Sequence, residues 1–196
     1  ELYDCKMSLI DSIIAEIETL KKSHKAGKST LVVVDMLYDF IDGSLACIGG
    51  EEAVKCAVNY INEHPELRVL YVCDSHPANH CSFKENGGIW PAHCVQGSRG
   101  AAIHESFHTQ ILNHDNRPQR GNIFYKGRNS STEQYSGYEA VDASGISMEE
   151  LPTHDVILVG IASEFCVKET AMDFIKRGFN VSVIEKALAY VDPDGH

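Results

Sequence analysis

The sequence lacks the features of a membrane protein, a secreted protein and a nucleic-acid-binding protein. None of its apolar runs approaches the roughly 18 residues that a membrane-spanning helix needs. Residues 1–25 contain no apolar core of a signal peptide. Basic residues are in the minority: 17 Lys and Arg against 28 Asp and Glu give a net charge of −11, which disfavours an extended phosphate-binding surface. We therefore expect a cytoplasmic protein that binds neither membranes nor nucleic acids.

Paired cysteines and nucleotide-binding glycine motifs are also missing. The seven cysteines are odd in number and irregularly spaced, which argues against a disulfide framework. No CxxC pair is present, so a cysteine-rich zinc module or a thioredoxin-like redox site is disfavoured. Neither the GxGxxG nor the GxxxxGK pattern occurs. We expect most of the cysteines to be small residues of the core.

What the sequence does contain is an alternation of two hydrophobic periods. Short apolar runs such as TLVVV at 30–34 are typical of strands that are buried on both faces. Between them lie segments with apolar residues at helical spacing. The alternation predicts an α/β protein, a single-domain, three-layer α/β/α fold with a mostly parallel sheet. Strands are predicted at 30–34, 68–73, 123–125, 156–159 and 180–184, and helices at 7–22, 51–63 and 164–177.

One extension and one long loop stand out from this pattern. Residues 1–25, which include the amphipathic segment 7–22, are predicted to form a helical extension packed on a domain of residues 26–196. The long irregular stretch, residues 75–120, is rich in His, Gly, Asn and Pro. Loops of this length in compact domains are usually functional, so we expect part of a site there.

Four chemically versatile residues stand at the carboxyl ends of predicted strands. Asp35, Asp74 and Lys126 follow the first three strands directly. Cys166 comes shortly after the fourth, in the predicted first turn of a helix. Ligands bind beyond these strand ends in open parallel sheets, so we expect the four side chains to share one edge. Each alone has an ordinary explanation as a helix cap, a solvated charge or a packing residue, but their joint placement favours catalysis.

The chemistry of this set suits acyl transfer from a carboxamide through a thioester. A cysteine at a helix N-terminus is expected to favour its thiolate form. A carboxylate can take the thiol proton and later give it to the leaving group. A lysine beside that carboxylate keeps it ionised, and free backbone amides near residues 162 and 166 can hold an oxyanion.

A second cluster, between residues 74 and 93, carries the donors of a divalent metal site. Asp74 and His76 stand two positions apart at a strand end, and His80 and His93 follow in the loop. One carboxylate and three imidazoles suit zinc, with iron and manganese as alternatives. Two other readings stay open. The cysteines directly after His80 and His93 could be ligands instead, or the stretch could be a polar surface loop.

Five segments match motifs of a known protein family: VVDMLYDFIDGSLA, CDSHPANHCSF, IWPAHCVQGSRGA, FYKGRNSSTEQYSGY and VGIASEFCVKETAMD. Through them the chain resembles the isochorismatase-like cysteine hydrolases over about residues 30–190. Within that superfamily it resembles the nicotinamidases, also called pyrazinamidases. The second and third segments are specific, because together they separate nicotinamidases from other members of the superfamily.

The resemblance implies an activity and a role for each candidate residue. The activity is metal-dependent hydrolysis of nicotinamide, or of a similar amide such as pyrazinamide, to the acid and ammonia, a step of NAD salvage. The implied catalytic triad is Asp35, Lys126 and Cys166. The implied ligands of one divalent ion per chain are Asp74, His76, His80 and His93.

The resemblance also describes the surroundings of the substrate. Phe40 and Trp90 match aromatic residues that flank the pyridine ring. A cis peptide bond is implied between Ile161 and Ala162, and it would direct the amides of Ala162 and Cys166 toward the substrate oxygen as an oxyanion hole.

The sequence departs from the family pattern at some positions and leaves alternatives open. Leu37 and Tyr38 stand where the family often has Gln and Asn, and Glu164 replaces a frequent Asp. One alternative is another amidase of the superfamily that acts on a carbamoyl or ureido compound and needs the thiol without the Asp/His cluster. The other is a non-catalytic α/β module that binds a metal or a nucleotide. Assembly into a homo-oligomer is also left open.

Overall fold

The computed structural model describes residues 29–150, 153–192 and 194. The predicted helix 7–22 and the extension of residues 1–25 lie outside the described residues. The strands are β1 Thr30–Val34, β2 Arg68–Asp74, β3 Ile123–Lys126, β4 Asp155–Ile161 and β5 Asn180–Ala189. The α-helices are α1 Tyr38–Ile41, α2 Gly50–Glu63, α3 Glu105–Thr109 and α4 Lys168–Lys176. Short 3-10 turns lie at Lys84–Asn86, Arg99–Ala101, His114–Asn116 and Met148–Glu150.

Within the described residues, the five strands form one sheet in the order β3-β2-β1-β4-β5. Every neighbouring pair is parallel, so the carboxyl ends of all five strands meet along one edge. β1 lies at the centre and all of its residues are buried. Its continuous apolar run follows from this position, because both faces of a central parallel strand are covered.

The sheet is covered on both faces by separate hydrophobic clusters. Leu31 and Val33 of β1 belong to one cluster, together with apolar side chains of α2 and α3. Val32 and Val34 belong to the other, together with Phe174 of α4. Successive side chains of a strand point to opposite faces, so one run of apolar residues supplies both clusters. The three-layer α/β/α fold predicted from the sequence is confirmed.

Within the described residues the predicted strands and helices are found, although the predicted end of one strand is wrong. The strands β1 to β4 and the helix α2 begin and end within one or two residues of their predicted bounds. β5, however, continues to Ala189 instead of ending at residue 184. Glu185 and Lys186, both exposed, interrupt the apolar pattern by which a buried strand is recognised. Within the part of the chain described here, no helix is long and apolar enough to cross a membrane.

The helix predicted at 164–177 begins differently from the prediction. A π-helical turn, Ser163–Val167, comes first, and α4 follows it. The carbonyl of Ala162 accepts the amides of both Phe165 and Val167 at 3.1 Å, and the second of these bonds has the wide spacing of a π-helix. Such turns are found mostly at functional sites, and this one contains the candidate nucleophile.

Gly160 allows β4 to pass close to β1 on its way to this turn. It pairs with Val34 and has φ +141°, a conformation that L side chains rarely adopt. The pairing of β4 with β5 shifts register between Leu158 and Gly160, so the glycine lies at a β-bulge. A Cβ at Gly160 would overlap the carbonyl oxygen of Val34. Glycine is therefore needed here for both its φ and its missing side chain.

Gly160→Ala should lower the free energy of unfolding by about 3 kcal/mol, because it combines a strained φ with a backbone clash. Gly121→Ala is the matched control, since a Cβ there would meet nothing within 4 Å. Its effect should stay within about 0.5 kcal/mol. Urea denaturation followed by circular dichroism measures both. Equal losses at the two positions would contradict this account of the bulge.

Candidate active site

Asp35 and Asp74 meet where β1 and β2 end side by side. The amide of Asp35 donates to the carbonyl of Val72 at 2.9 Å, which extends the ladder between the two strands by one residue. Asp35 has φ +50°, in the left-handed region that Asp tolerates better than most residues. Its Oδ1 accepts the amide of Asp74 at 2.8 Å. The carboxylate of Asp35 is thereby fixed at the end of β2.

Lys126 brings a buried ammonium to these two carboxylates. It is the last residue of β3 and the register partner of Asp74. Its Nζ lies 2.9 Å from Oδ2 of Asp35 and forms a short ion pair with Oδ1 of Asp74. All three side chains are buried and so are shielded from water. The structure thus joins residues that the sequence places at three separate strand ends.

Cys166 reaches this cluster from the π-helical turn after β4. It is buried, and its Sγ lies 3.4 Å from Nζ of Lys126. The Sγ and one carboxylate oxygen each of Asp35 and Asp74 lie within 4.8 Å of one another. Despite its contact with Lys126, Oδ2 of Asp35 has no hydrogen bond of good geometry within the described part of the chain. This oxygen is available to accept the thiol proton.

The charges around the thiol favour a neutral Cys166 and an ionised Asp35. Burial raises the pKa of the Cys166 thiol well above its ordinary value, and the positive charge of Lys126 offsets this only in part. Burial and the charge of Asp74 raise the pKa of Asp35 to about 6, against the opposing effect of Lys126. Burial of the thiol therefore opposes the effect that the sequence predicts for the helix end. At neutral pH the thiol keeps its proton beside a carboxylate that can accept it.

Asp74 and Lys126, by contrast, have fixed charges. Burial alone would raise the pKa of Asp74, but Lys126 and His76 outweigh burial and hold the pKa well below its ordinary value. Burial alone would lower the pKa of Lys126, but Asp35 and Asp74 raise it well above its ordinary value. Lys126 is therefore a permanent cation and Asp74 a permanent anion, which leaves Asp35 as the carboxylate suited to proton transfer.

Asp74 also belongs to a second group, formed with His76 and His93, which we call the metal-type group. One ligand atom of each lies within 4.8 Å of the others, and all three residues are buried. Nδ1 of His76 donates to the carbonyl of Gly127 at 2.8 Å. Nδ1 of His93 donates to the carbonyl of Pro91 at 2.8 Å. A carbonyl only accepts, so each imidazole, when neutral, carries its lone pair on Nε2, and that of His76 lies 3.4 Å from Oδ2 of Asp74. In this neutral form the group fits a transition metal.

His80, the fourth ligand implied by the resemblance, is not part of the metal-type group. Its ring packs beside that of His76, with 4.1 Å between the ring centroids. Both of its nitrogens have protein partners: Nδ1 accepts the amide of Ser82 at 3.2 Å, and Nε2 donates to the carbonyl of Thr132 at 3.2 Å. The structure therefore brings together three of the four candidate ligands and leaves His80 as a neighbour of His76.

Backbone pairing within the long loop after β2 brings His93 next to His76. The amide of His76 donates to the carbonyl of Cys94 at 2.9 Å, and the carbonyl of His76 accepts the amide of Gln96 at 2.9 Å. On the other side of the ring, Gly127 has φ +67°, and a Cβ there would overlap the imidazole of His76. The geometry of the metal-type group thus depends on the closure of this loop and on a glycine at the end of β3.

A cavity lies beside the thiol. Cys166, Asp74 and His93 all line it, so the nucleophile and two residues of the metal-type group face the same space. The other walls are mostly apolar or aromatic and are formed by Phe40, Leu45, Trp90, Glu133, Tyr135, Ala162, Phe165 and Val191. The apolar and aromatic walls with few polar groups suit a small aromatic molecule with one reactive substituent.

Phe40 and Trp90, the aromatic residues predicted to flank a substrate ring, both line this cavity. The ring centroid of Phe40 lies 5.5 Å from that of His93, on the side of the metal-type group. Trp90 packs edge to face on Phe165 at 5.1 Å, and its Nε1 donates to Oη of Tyr135 at 3.1 Å. The ring of Phe40 is therefore held beside the metal-type group, and the ring of Trp90 is held beside the π-helical turn that contains Cys166.

Phe165, Tyr135 and Val191 are cavity residues that the sequence analysis does not single out. Phe165 directly precedes Cys166 in the sequence, and this adjacency is the one signal that could have identified it as a cavity residue. Tyr135 lies in a loop and Val191 just beyond β5, where no spacing distinguishes them. Val191 is held at the cavity because its amide donates to Oε1 of Glu164 at 2.7 Å.

The peptide bond between Ile161 and Ala162 is cis, as the resemblance implies. Ala162 precedes the π-helical turn, and both Ala162 and Cys166 line the cavity. Their amides are therefore near the space where a substrate would bind. Their role in holding an oxyanion stays a prediction.

Comparison with known proteins places this fold and cavity in a family. The Isochorismatase domain matches residues 29–196, which is most of the chain. The chain belongs to the Isochorismatase family. The nicotinamidase/pyrazinamidase of Mycobacterium tuberculosis is 33% identical over 173 residues, which span 84% of this chain and 88% of that protein.

Solved structures of family members resemble this chain over most of its length. The pyrazinamidase of Pyrococcus horikoshii in complex with zinc is 33% identical, with a TM-score of 0.72 over 86% of this chain and 89% of its own. PnC1 of L. infantum in complex with nicotinate is 36% identical, with a TM-score of 0.69 over 86% of this chain and 84% of its own. The resemblance to nicotinamidases within the isochorismatase-like hydrolases is thus confirmed.

Lys126→Met should lower the free energy of unfolding by about 4 kcal/mol, because it leaves two buried carboxylates without their cation. In the double variant Asp35→Asn/Lys126→Met one of those charges is gone as well. The decrease in the free energy of unfolding of the double variant should be smaller, by about 1–3 kcal/mol, than the sum of the decreases of the two single variants.

The control for this cycle is Lys168→Ala, which removes an exposed lysine. Its effect should stay within about 0.5 kcal/mol. Urea denaturation provides all the values. Additive losses for Asp35 and Lys126 would mean that the two residues do not act as a pair.

Proposed function

We propose that the chain hydrolyses nicotinamide to nicotinate and ammonia through a thioester on Cys166. The observation that carries the proposal is the contact of a buried thiol with Lys126, which is itself paired with Asp35. This contact lies beside a cavity that two residues of the metal-type group, Asp74 and His93, also line. Among the relatives are a nicotinamidase/pyrazinamidase and a protein solved with nicotinate. A small amide on an aromatic ring also suits the aromatic walls of the cavity.

Asp35 carries the proton through the reaction. It takes the proton from Sγ of Cys166 while Sγ attacks the carboxamide carbon and the S–C bond forms. The proton then passes to the amide nitrogen, the C–N bond breaks, and ammonia leaves a thioester. Asp35 next takes a proton from water as the water oxygen attacks the thioester carbon. The C–S bond breaks, Asp35 returns its proton to the sulfur, and the carboxylic acid loses its own proton to solvent to give nicotinate.

Lys126 makes this role of Asp35 feasible. Burial and Asp74 raise the pKa of Asp35 to about 6, and the ammonium opposes both effects. Without that cation the carboxyl would hold its own proton at neutral pH and could not act as the base. Because Nζ is 3.4 Å from Sγ, the ammonium also stabilises the thiolate as it forms.

The amides of Ala162 and Cys166 would hold the negative oxygen of the tetrahedral adduct. Both residues line the cavity around Sγ. Backbone donors are fixed before the reaction begins, so they need no reorganisation when the charge develops.

Asp74, His76 and His93 would hold a divalent ion, zinc by the chemistry of one carboxylate and two imidazoles, with iron or manganese as alternatives. A family member was solved in complex with zinc. When bound, the ion supplies a Lewis acid that suits the nitrogen of a pyridine ring. Phe40 and Trp90 would fix the plane of that ring, which orients the carboxamide toward Cys166.

The two alternative functions receive less support. An amidase for carbamoyl or ureido compounds needs the thiol but has no use for the buried Asp/His group. A non-catalytic module has no use for a thiol and a proton-accepting carboxylate buried together beside a cavity. The nicotinate produced would return to NAD synthesis. The cytoplasmic location and the homo-oligomer stay predictions.

Cys166→Ala should lower ammonia release from nicotinamide by about 10⁴-fold or more, because among the described residues Cys166 carries the one thiol that lines the cavity. Its zinc content should match the wild type, since other side chains form the metal-type group. Cys56→Ala, which removes a half-buried thiol of α2, is the control and should keep full activity. Turnover of Cys166→Ala within tenfold of the wild type would rule out the covalent mechanism.

Benzamide tests the purpose of the metal, because it keeps the ring and the carboxamide but lacks the pyridine nitrogen. In the zinc-loaded protein, kcat/KM should be about 100-fold higher for nicotinamide than for benzamide. Removal of the ion with a chelator should lower kcat/KM for nicotinamide toward the value for benzamide. Added zinc should restore the difference in kcat/KM between the two substrates. If chelation lowers kcat/KM equally for both substrates, or for neither, the ion is structural and does not bind the substrate.

A further inference from the structure

Asp39 is a half-buried residue of α1, and each of its two carboxylate oxygens accepts a hydrogen bond from a backbone amide. Oδ2 accepts the amide of Cys94 at 2.7 Å, and Oδ1 accepts the amide of Ser44 at 3.2 Å. Hydrogen bonds to an ionised carboxylate are about twice as strong as neutral ones. Asp39 is therefore a strong tie between α1 and the loop that carries His93.

Cys94 is the point at which this tie reaches the metal-type group. It directly follows His93, and its carbonyl accepts the amide of His76 at 2.9 Å. Its φ is +48°, a conformation that is unfavourable for a residue other than Gly, Asn or Asp. A strong bond to its amide offsets that cost and holds the backbone in place. One peptide segment, fixed by Asp39, thus supports both histidines.

The ring of His93 is held from the same short stretch of α1. Phe40, the neighbour of Asp39, places its ring centroid 5.5 Å from that of His93. The carbonyl of Pro91 accepts the proton on Nδ1 of His93 at 2.8 Å. Asp39 therefore fixes the backbone of His93, and Phe40 and Pro91 fix its ring.

Two glycines provide the space that the carboxylate of Asp39 occupies. A Cβ at Gly100 would overlap Oδ2, and a Cβ at Gly43 would overlap Oδ1. Even an alanine at Gly100 would have to displace the carboxylate from the amide of Cys94. This gives a second way to break the tie, from the opposite side and without changing Asp39.

We propose that Asp39 is a positioning residue, which aligns His76 and His93 through Cys94 and so sets the affinity for the metal ion. Asp39 is neither a lining residue of the cavity nor a member of the metal-type group, and its oxygens accept backbone amides. The inference rests on the metal site of the proposed function and adds a residue on a different element from all three ligands.

Zinc affinity is the direct test, measured on the full chain by competition of Zn²⁺ with a chromogenic chelator. Asp39→Ala should weaken zinc binding by about 10–100-fold, the usual cost of losing a partner that orients ligands. Gly100→Ala should weaken binding in the same direction. Asp39→Asn should lie between Asp39→Ala and the wild type, because it keeps one oxygen for Cys94 but loses the charge. With nicotinamide, the activity of Asp39→Ala should rise with zinc concentration along its own binding curve.

Asp42→Ala is the matched control. It removes an exposed carboxylate that adjoins the same helix and, in the described part of the chain, forms its ion pair with Arg99. Its zinc affinity should stay within about twofold of the wild type. Circular dichroism identifies the variants that fold. Folded variants at Asp39 or Gly100 that bind zinc within threefold of the wild type would overturn the proposal.

The zinc measurement separates this inference from the proposed activity. A wild-type chain that binds zinc but releases no ammonia from nicotinamide would refute the activity and leave the role of Asp39 in place. A chain that hydrolyses nicotinamide and whose Asp39 and Gly100 variants bind zinc normally would refute the role of Asp39 alone.

Discussion

The buried ammonium of Lys126 is the interaction on which the rest of the site depends. Asp35 and Asp74 lie at adjacent strand ends, and two carboxylates this close cannot both stay ionised in a buried site without a cation. Lys126 contacts both of them, and its Nζ lies 3.4 Å from Sγ of Cys166. One cation thus connects the candidate base, the candidate metal ligand and the candidate nucleophile.

The two carboxylates paired with this cation differ in their pKa, and this difference gives them separate roles in the site. Asp74 has His76 as a further partner, and its pKa is held well below the ordinary value despite burial. Asp35 is more affected by burial and by the charge of Asp74, so its pKa rises to about 6. Asp74 is suited to hold a metal ion permanently, whereas Asp35 is suited to take and return a proton.

Much of the fold was predictable, because strands buried on both faces need continuous apolar runs, and β1 shows such a run. The candidate triad was predictable for a related reason, since parallel strands deliver the residues after their carboxyl ends to one edge. The charge state of Cys166 was not predictable, because it depends on the burial of the thiol and on the carboxylates around it. The place of His80 was not predictable either, since Ser82 and Thr132 occupy its nitrogens only in the folded loop.

The sequence by itself determined the order of the strands and helices along the chain, the polar residues at the strand ends and the set of candidate metal-binding side chains. It could do so because hydrophobic period and residue chemistry are local properties. Only the tertiary structure decided which of these side chains touch, and with what pKa. It also decided that Phe165, Tyr135 and Val191 close the cavity and that Asp39 supports the backbone at His93. Those outcomes depend on loop closure and on exclusion of water, which arise from contacts between distant segments and leave no period or spacing in the sequence.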